Sequence, residues 1–271
     1  MSYATSIDSL LSTMTPPVDT SYQNIFQTFS LADNSSVYSP ILFGGGGSAI
    51  DFTCIGHRTS PSSSFYCKLT AITPRHAITS EHNAVGFDIG NQVTWIAANG
   101  TRATRTISAY ASFVSSATAT DAFRIVYLDS DLPASINKAP LFADRSTYMI
   151  GQPVIKTDQF HLALVANISQ DDGTGMMFTD PLTGNRHAFY GDWIGNDSGS
   201  PAFAVLDRQL IYLTSAVGGG GGSGPNCSTR IDSIMHAIQL LNDSNGGNYL
   251  PALQGGMTCP SKVSTGISVG I

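Results

Sequence analysis

Nine residues, Gly195-Asn196-Asp197-Ser198-Gly199-Ser200-Pro201-Ala202-Phe203, form the arrangement in this chain best suited to covalent chemistry. A serine stands between an acid and a glycine, and an apolar run follows. On a tight turn such a hydroxyl is presented as a nucleophile, and the glycine permits unusual backbone angles and a close substrate approach. A serine hydroxyl is a weak nucleophile and needs a neighbouring base, itself oriented by a third group. His76 and His82 lie upstream, as do the carboxylates Asp121, Asp129 and Asp131. Taken alone, the string reads equally as a plain turn, because Ser and Gly cluster wherever a chain reverses.

Such side chains need a scaffold. The chain has 271 residues, 42% of them hydrophobic, enough for one large all-β domain or two small packed ones. Short apolar stretches alternate with turns at residues 50–52, 65–69, 92–96 and 106–110, and again at 149–150, 154–156, 162–165, 202–206 and 210–213. That grammar predicts an all-β sandwich or barrel. Two similar halves joined by a crossover at residues 132–137 predict two barrels, whose closure leaves no exposed edge. Residues 228–242 read as a helix capped by Ser228, with Ile231, Ile234, Met235, Ile238 and Leu241 at helical spacing. Residues 1–40 are Ser/Thr-rich and read as an extension that packs on the domain or reaches a neighbour, with a helical turn near Ile7. The tail after Gly246 reads as irregular.

The net charge is −6 with only 12% charged residues, and lysines occur only at 68, 138, 156 and 262. Nucleic acid is excluded as a partner, because phosphate binding needs clustered Lys and Arg. No apolar run reaches membrane-spanning length. Residues 1–16 lack the basic start and apolar core of a signal peptide. A surface of Ser, Thr, Asn and Gly points to an extracellular or particle-associated protein. Four cysteines allow three pairings. Cys54 and Cys67 bracket a Ser-rich turn where a hairpin would bring them opposite each other, and Cys227 and Cys259 could clamp the tail. Four free thiols are the alternative.

The run Asp197-Ser198-Gly199-Ser200-Pro201 resembles the nucleophile turn of chymotrypsin-like serine peptidases. Residues 71–83, ending Thr79-Ser80-Glu81-His82-Asn83, resemble that family's catalytic-histidine segment, with His82 as the base and His76 in the preceding strand. Thr120-Asp121-Ala122-Phe123 and the following Leu132-Pro133 resemble its acid segment, with Asp121 as the orienting acid. The order His82, Asp121, Ser198 is that of chymotrypsin. The resemblance covers roughly residues 41–243. It implies two antiparallel six-stranded β-barrels with a C-terminal helix: an N-terminal extension over 1–40, a first barrel over 41–135, a second over 136–227, the helix over 228–243 and a tail over 244–271. This sequence departs from the family at Glu81, where a small residue is usual, at Asn83, where a cysteine is usual, and at Asn196, where glycine is usual. Because Asn83 replaces the partner cysteine, Cys67 is expected to pair with Cys54.

The resemblance further implies an oxyanion hole from the N–H groups of Asn196 and Ser198. Asp192 falls at the pocket floor, which favours Lys or Arg at the cleaved bond. Ser215, Ala216 and Val217 fall on the pocket wall, where Val217 favours small side chains. No cofactor or metal is implied, and the expected partner is a peptide or protein substrate, with self-association through the extensions. Ile41-Leu42-Phe43-Gly44 resembles the family's cleaved amino terminus, although Pro40 precedes it and a glycine loop between strands reads as well. The expectation is that no cleavage before Ile41 activates the chain, and that Asp197 finds an internal partner. The leading functional reading is a trypsin-like serine endopeptidase. A catalytically silent structural relative and a carboxylester hydrolase using the same residues are the alternatives.

Overall fold

The computed structural model describes residues 3–12, 20–59, 66–113, 122–144, 149–171, 175–182, 184–217, 222–255 and 267–270. The chain opens with α1 (Tyr3–Leu11) and a small ladder of β1 (Phe26–Thr28) and β2 (Val37–Tyr38). A closed barrel follows, built from β3 (Ile55–Thr59), β4 (Tyr66–Ala71), β5 (His76–Ser80), β6 (Gln92–Ile96), β7 (Arg102–Phe113) and β8 (Phe123–Leu128). Its strands pair in the order β7-β6-β3-β4-β5-β8, and β8 pairs back with β7 to close the ring.

The second half is an eight-stranded sheet curled into a half-barrel. Its strands are β9 (Leu141–Phe142), β10 (Pro153–Thr157), β11 (Ala163–Asp171), β12 (Gly175–Thr179), β13 (Pro201–Leu206), β14 (Gln209–Ser215) and β15 (Ser223–Pro225), with α2 (Gly184–Ala188) between β12 and β13. After α3 (Cys227–Asn245), β16 (Leu253–Gln254) joins β9 in parallel at the sheet's edge. The tail strand β17 (Ile267–Gly270) adds to β7 of the first barrel. This sheet stays open because β9 and β16 extend its edge instead of returning to β12 and β15.

The period-2 rule explains why both faces of these strands are apolar. In β8, Val126 and Leu128 point into the first barrel, while Phe123, Ile125 and Tyr127 point into a shared core between the two sheets. In β13, Ala202 and Ala204 line the second sheet's own core, and Phe203 and Val205 face the shared one. Ile231, Ile234, Ile238 and Leu241 bring α3 onto that shared core at helical spacing. The first barrel closes tightly around Trp95, whose indole N–H donates to the Cys54 carbonyl at 3.1 Å. Gly56 is required there, because a Cβ would lie 2.5 Å from the Trp95 ring.

Several sequence expectations need correction. The cap of α3 is Asn226, not Ser228: the Asn226 side-chain oxygen accepts the N–H groups of Ser228 at 2.9 Å and Thr229 at 3.4 Å. Residues 50–52 and 149–150 are not strands but lie in turns and connections. The hairpin register overturns the Cys54–Cys67 disulfide. Cys67 faces Arg58, whereas Cys54 precedes β3 and its carbonyl accepts the Ala71 N–H at 2.8 Å. The two cysteines sit toward opposite ends of one hairpin, and no disulfide joins them. Cys54 and Cys227 are buried thiols pushed well up by burial. Cys259, expected to pair with Cys227, lies outside the described residues.

The N-terminal segment packs on the molecule. Ile7, Leu10 and Leu11 of α1 are buried in the shared core, and Asp8 pairs with Arg186 at 2.7 Å. The Ile25 N–H donates to the His161 carbonyl, the Gln23 amide to Phe189 and the Tyr38 hydroxyl to Ile96. Residues 42–43 are buried within a 3-10 segment, Leu42–Ala49, and Phe43 meets Phe189 edge-on at 5.2 Å.

Candidate active site

Strand β5 is buried along its length and ends at Ser80. The chain then turns into a 3-10 segment, Glu81–Gly86, which carries His82 at an exposed position. Glu81 anchors that turn. Arg124 of β8 grips its carboxylate with two bonds, from Nη2 at 3.0 Å and Nε at 3.2 Å. The same guanidinium donates to Asp88 at 2.9 Å and lies 4.1 Å over the Tyr110 ring. Glu81, one of the three departures named from the sequence, is therefore half of an ion pair that fixes the segment bearing His82. The Glu81 N–H also donates to the Ala122 carbonyl at 2.8 Å. Asp121, the next residue back along the chain, lies outside the described residues.

Ser198 occupies a half-buried turn before β13. Asn196 holds a left-handed φ of 78° and Gly199 one of 84°. Asparagine tolerates that region better than most residues, so it replaces glycine there without breaking the turn. Asp197 is fully buried; its two oxygens accept the N–H groups of Gln159 at 2.8 Å and Ile194 at 2.6 Å. Among the described residues, the N–H groups of Asn196 and Ser198 have no protein acceptor.

One carbonyl joins the two segments. The Ala216 oxygen accepts both the Ser80 hydroxyl, at 2.8 Å, and the Gly199 N–H, at 2.9 Å. Ser80 stands two residues before His82 and Gly199 one residue after Ser198. The histidine turn of the first barrel and the serine turn of the second sheet thus meet across the shared core, at the end of β14. The fold is that of the chymotrypsin-like two-barrel proteins. Human heparin binding protein superposes with a TM-score of 0.52 at 16% identity, over 69% of this chain and 92% of its own. A structure of HBP at atomic resolution gives 0.51 at 14% identity over the same shares. No protein-family model and no curated protein matches the sequence. Likeness at this identity concerns the fold, and the site must be argued from its own residues.

The residues expected to line a substrate pocket have definite surroundings. Asp192 is exposed and accepts the Tyr190 hydroxyl. Ser215 is buried, its hydroxyl bonded to Tyr212 at 2.7 Å. Ala216 is buried in the second sheet's core, and its N–H donates to Ser200 at 2.9 Å. The Val217 N–H donates to Ser223 at 2.9 Å, which ties the wall to β15. Trp193, next to Asp192, is buried against Phe178 at 5.2 Å, and its indole N–H donates to the Thr157 carbonyl at 2.7 Å. Residues 218–221 lie outside the described residues. His76 is buried in the first barrel's wall, bonded to Thr73 at 2.9 Å, and burial holds its imidazole down at about 3.

Sequence reasoning missed Arg124 and Ser80 as parts of this site. A signal existed for the first: Arg124 stands mid-strand between apolar neighbours, and a charge buried there requires partners.

Proposed function

We propose that the chain is a serine hydrolase that cleaves peptide bonds through an acyl-enzyme, with Ser198 as nucleophile, His82 as base and Asp121 as the orienting acid. The observation that carries this reading is the Ala216 carbonyl, bonded at once to the residue beside Ser198 and to the strand end that leads into His82. In the proposed reaction the Ser198 oxygen attacks the scissile carbonyl carbon while His82 takes the hydroxyl proton. The tetrahedral oxyanion is received by the N–H groups of Asn196 and Ser198. His82 returns the proton to the leaving amine, the C–N bond breaks and the acyl-serine remains. Water then attacks with His82 again as base, which releases the acid and restores the serine. Asp121 holds the imidazole tautomer and stabilises the imidazolium.

A second reading has its own support. The Asp192 carboxylate and the Ser215 hydroxyl are both engaged by tyrosines, and Trp193 fills the space between Phe178 and Thr157. Those contacts favour a silent protease-fold protein in which the pocket serves packing. A fluorophosphonate probe separates the two. The hydrolase reading expects labelling of the parent at Ser198 and none of a folded Ser198→Ala variant. Absence of labelling in the parent across pH 6 to 9 supports the silent relative, and undiminished labelling of Ser198→Ala overturns the nucleophile assignment. A peptide library set against simple esters then decides between amide and ester cleavage.

A further inference from the structure

The turn that carries Ser198 offers two backbone donors, and different parts of the chain aim them. A peptide unit is planar and trans, so a carbonyl and the N–H that follows it point opposite ways. The Ser198 N–H shares its unit with the Asp197 carbonyl, and the Asn196 N–H shares its unit with the Gly195 carbonyl. The Asp197 carbonyl accepts the Ser200 N–H at 2.8 Å, a bond inside the turn itself. The Gly195 carbonyl is held from elsewhere: the Gln159 side-chain amide donates to it from Nε2 at 2.9 Å. Each of these bonds sets the direction of the N–H on the far side of its peptide unit. Neither N–H has a protein acceptor among the described residues.

Gln159 grips both sides of Asn196. Its side chain takes Gly195, and its backbone N–H donates to the Asp197 carboxylate at 2.8 Å. The residue is 2% exposed. Its amide orientation is forced, because the reverse would set Oε1 against the Gly195 oxygen, two acceptors with no proton between them. A Cβ at Gly195 would meet nothing within 4 Å, so packing does not restrain that peptide unit. Glycine is also the residue whose backbone turns most freely. The bond from Gln159 supplies the restraint that packing does not.

Gln159 is itself held. It sits in the turn from β10 to β11, where the Asp158 carboxylate accepts the N–H groups of Phe160 at 3.0 Å and Leu162 at 2.8 Å. The N-terminal segment closes this turn from outside. The Ile25 N–H donates to the His161 carbonyl at 2.9 Å, and the ring centroids of Phe29 and His161 are 3.9 Å apart.

We propose that Gln159 is a positioning residue for oxyanion binding: it pins the Gly195 carbonyl toward the β10–β11 turn, so that the Asn196 N–H points at the oxygen that becomes negative when Ser198 attacks. This deepens the hydrolase reading and rests on Ser198 being the nucleophile. Gln159 acts through Asn196 and touches no reacting atom.

The test uses the whole chain, a fluorophosphonate probe and 1H–15N NMR of the Asn196 amide. Gln159→Met keeps the length and removes the donor, while Gln159→Asn keeps the amide and falls one methylene short of Gly195. Asn242→Leu is the control. It removes another buried amide bonded to a backbone carbonyl, that of Tyr249 at 2.8 Å, on α3. In the parent the Asn196 signal is expected to move downfield once Ser198 is phosphonylated, because the phosphonyl oxygen stands in for the oxyanion. Both Gln159 variants should label at least tenfold more slowly, less than the roughly hundredfold or more lost when such a donor is removed outright. The pH midpoint of labelling should stay put, since His82 is untouched. In both variants the Asn196 signal should already differ from the parent's before probe is added, while the Gly199 signal, bonded to Ala216, stays. Asn242→Leu should label like the parent. A folded Gln159→Met or Gln159→Asn that labels like the parent overturns the proposal. So does an equal slowing in Asn242→Leu, or a parent Asn196 signal that ignores phosphonylation. If the parent never labels, the hydrolase reading fails and the oxyanion role with it. The pinned peptide is then judged separately, and an Asn196 signal unmoved in both Gln159 variants overturns that too.

Discussion

Arg124 joins three parts of the site through one side chain: Glu81 at the start of the histidine turn, Asp88 beyond it and the Tyr110 ring on β7. Its side chain is 7% exposed and that of Glu81 is 17% exposed. Removing one partner of so covered a pair strands the other, at a cost of about 3 kcal/mol or more. Arg124→Met is expected to lower unfolding free energy by about that amount in urea melts and to slow probe labelling by loosening His82. Arg124→Met/Glu81→Gln should recover part of the stability. An additive double variant would show that the pair is not coupled. Residue-scale legibility was uneven for a physical reason. The serine turn and the histidine segment are local strings, and each shows itself in a few consecutive residues. Arg124–Glu81 and Ser80–Ala216 join residues far apart in sequence, and nothing in either local string names its partner.

Among the elements, α1 shows how a segment with little sequence signal gains a place. Its fixed points are Ile7, Leu10 and Leu11, buried in the shared core, and the Asp8–Arg186 pair on the surface. The apolar contacts should dominate. Leu11→Ala is expected to cost roughly 2–3 kcal/mol, near the low end for buried leucine truncations because the site lies at the core's margin. Asp8→Ala should cost less than about 1 kcal/mol, since the pair is partly solvated. Urea melts of the two variants check the order, and a larger loss from Asp8→Ala would reverse the assignment of what holds the segment. Most strands of the barrel, and the helix α3, were legible from alternation and from helical spacing. The short strands β1, β2, β9, β15 and β16 were not. Each has two or three residues, too few to establish a period, and tertiary pairing alone defines them.

At the scale of the whole molecule, acid is the expected weakness. His57, His76 and His161 are all buried and neutral, their imidazoles pushed below the usual value chiefly by burial. The unfolded chain takes up three protons near pH 6.5 that the folded one refuses, so stability is full above that pH and is lost as pH falls. Burial raises Asp158 and Asp197, which take up protons earlier in the folded state and so oppose the trend. The net slope should lie between about 1.4 and 4 kcal/mol per pH unit below pH 6. Urea midpoints at pH 7, 6 and 5 measure it, and a flat or inverted profile would overturn this balance.

The ion pair between Asp8 and Arg186 spans 178 residues of chain. The first helix leaves the ribosome long before its seat on α2, β10 and β13 has been made. At about 5–20 residues per second, the wait is on the order of ten to forty seconds. Through that interval Ile7, Leu10 and Leu11 face water or a chaperone, and a helix made early waits for a seat made late.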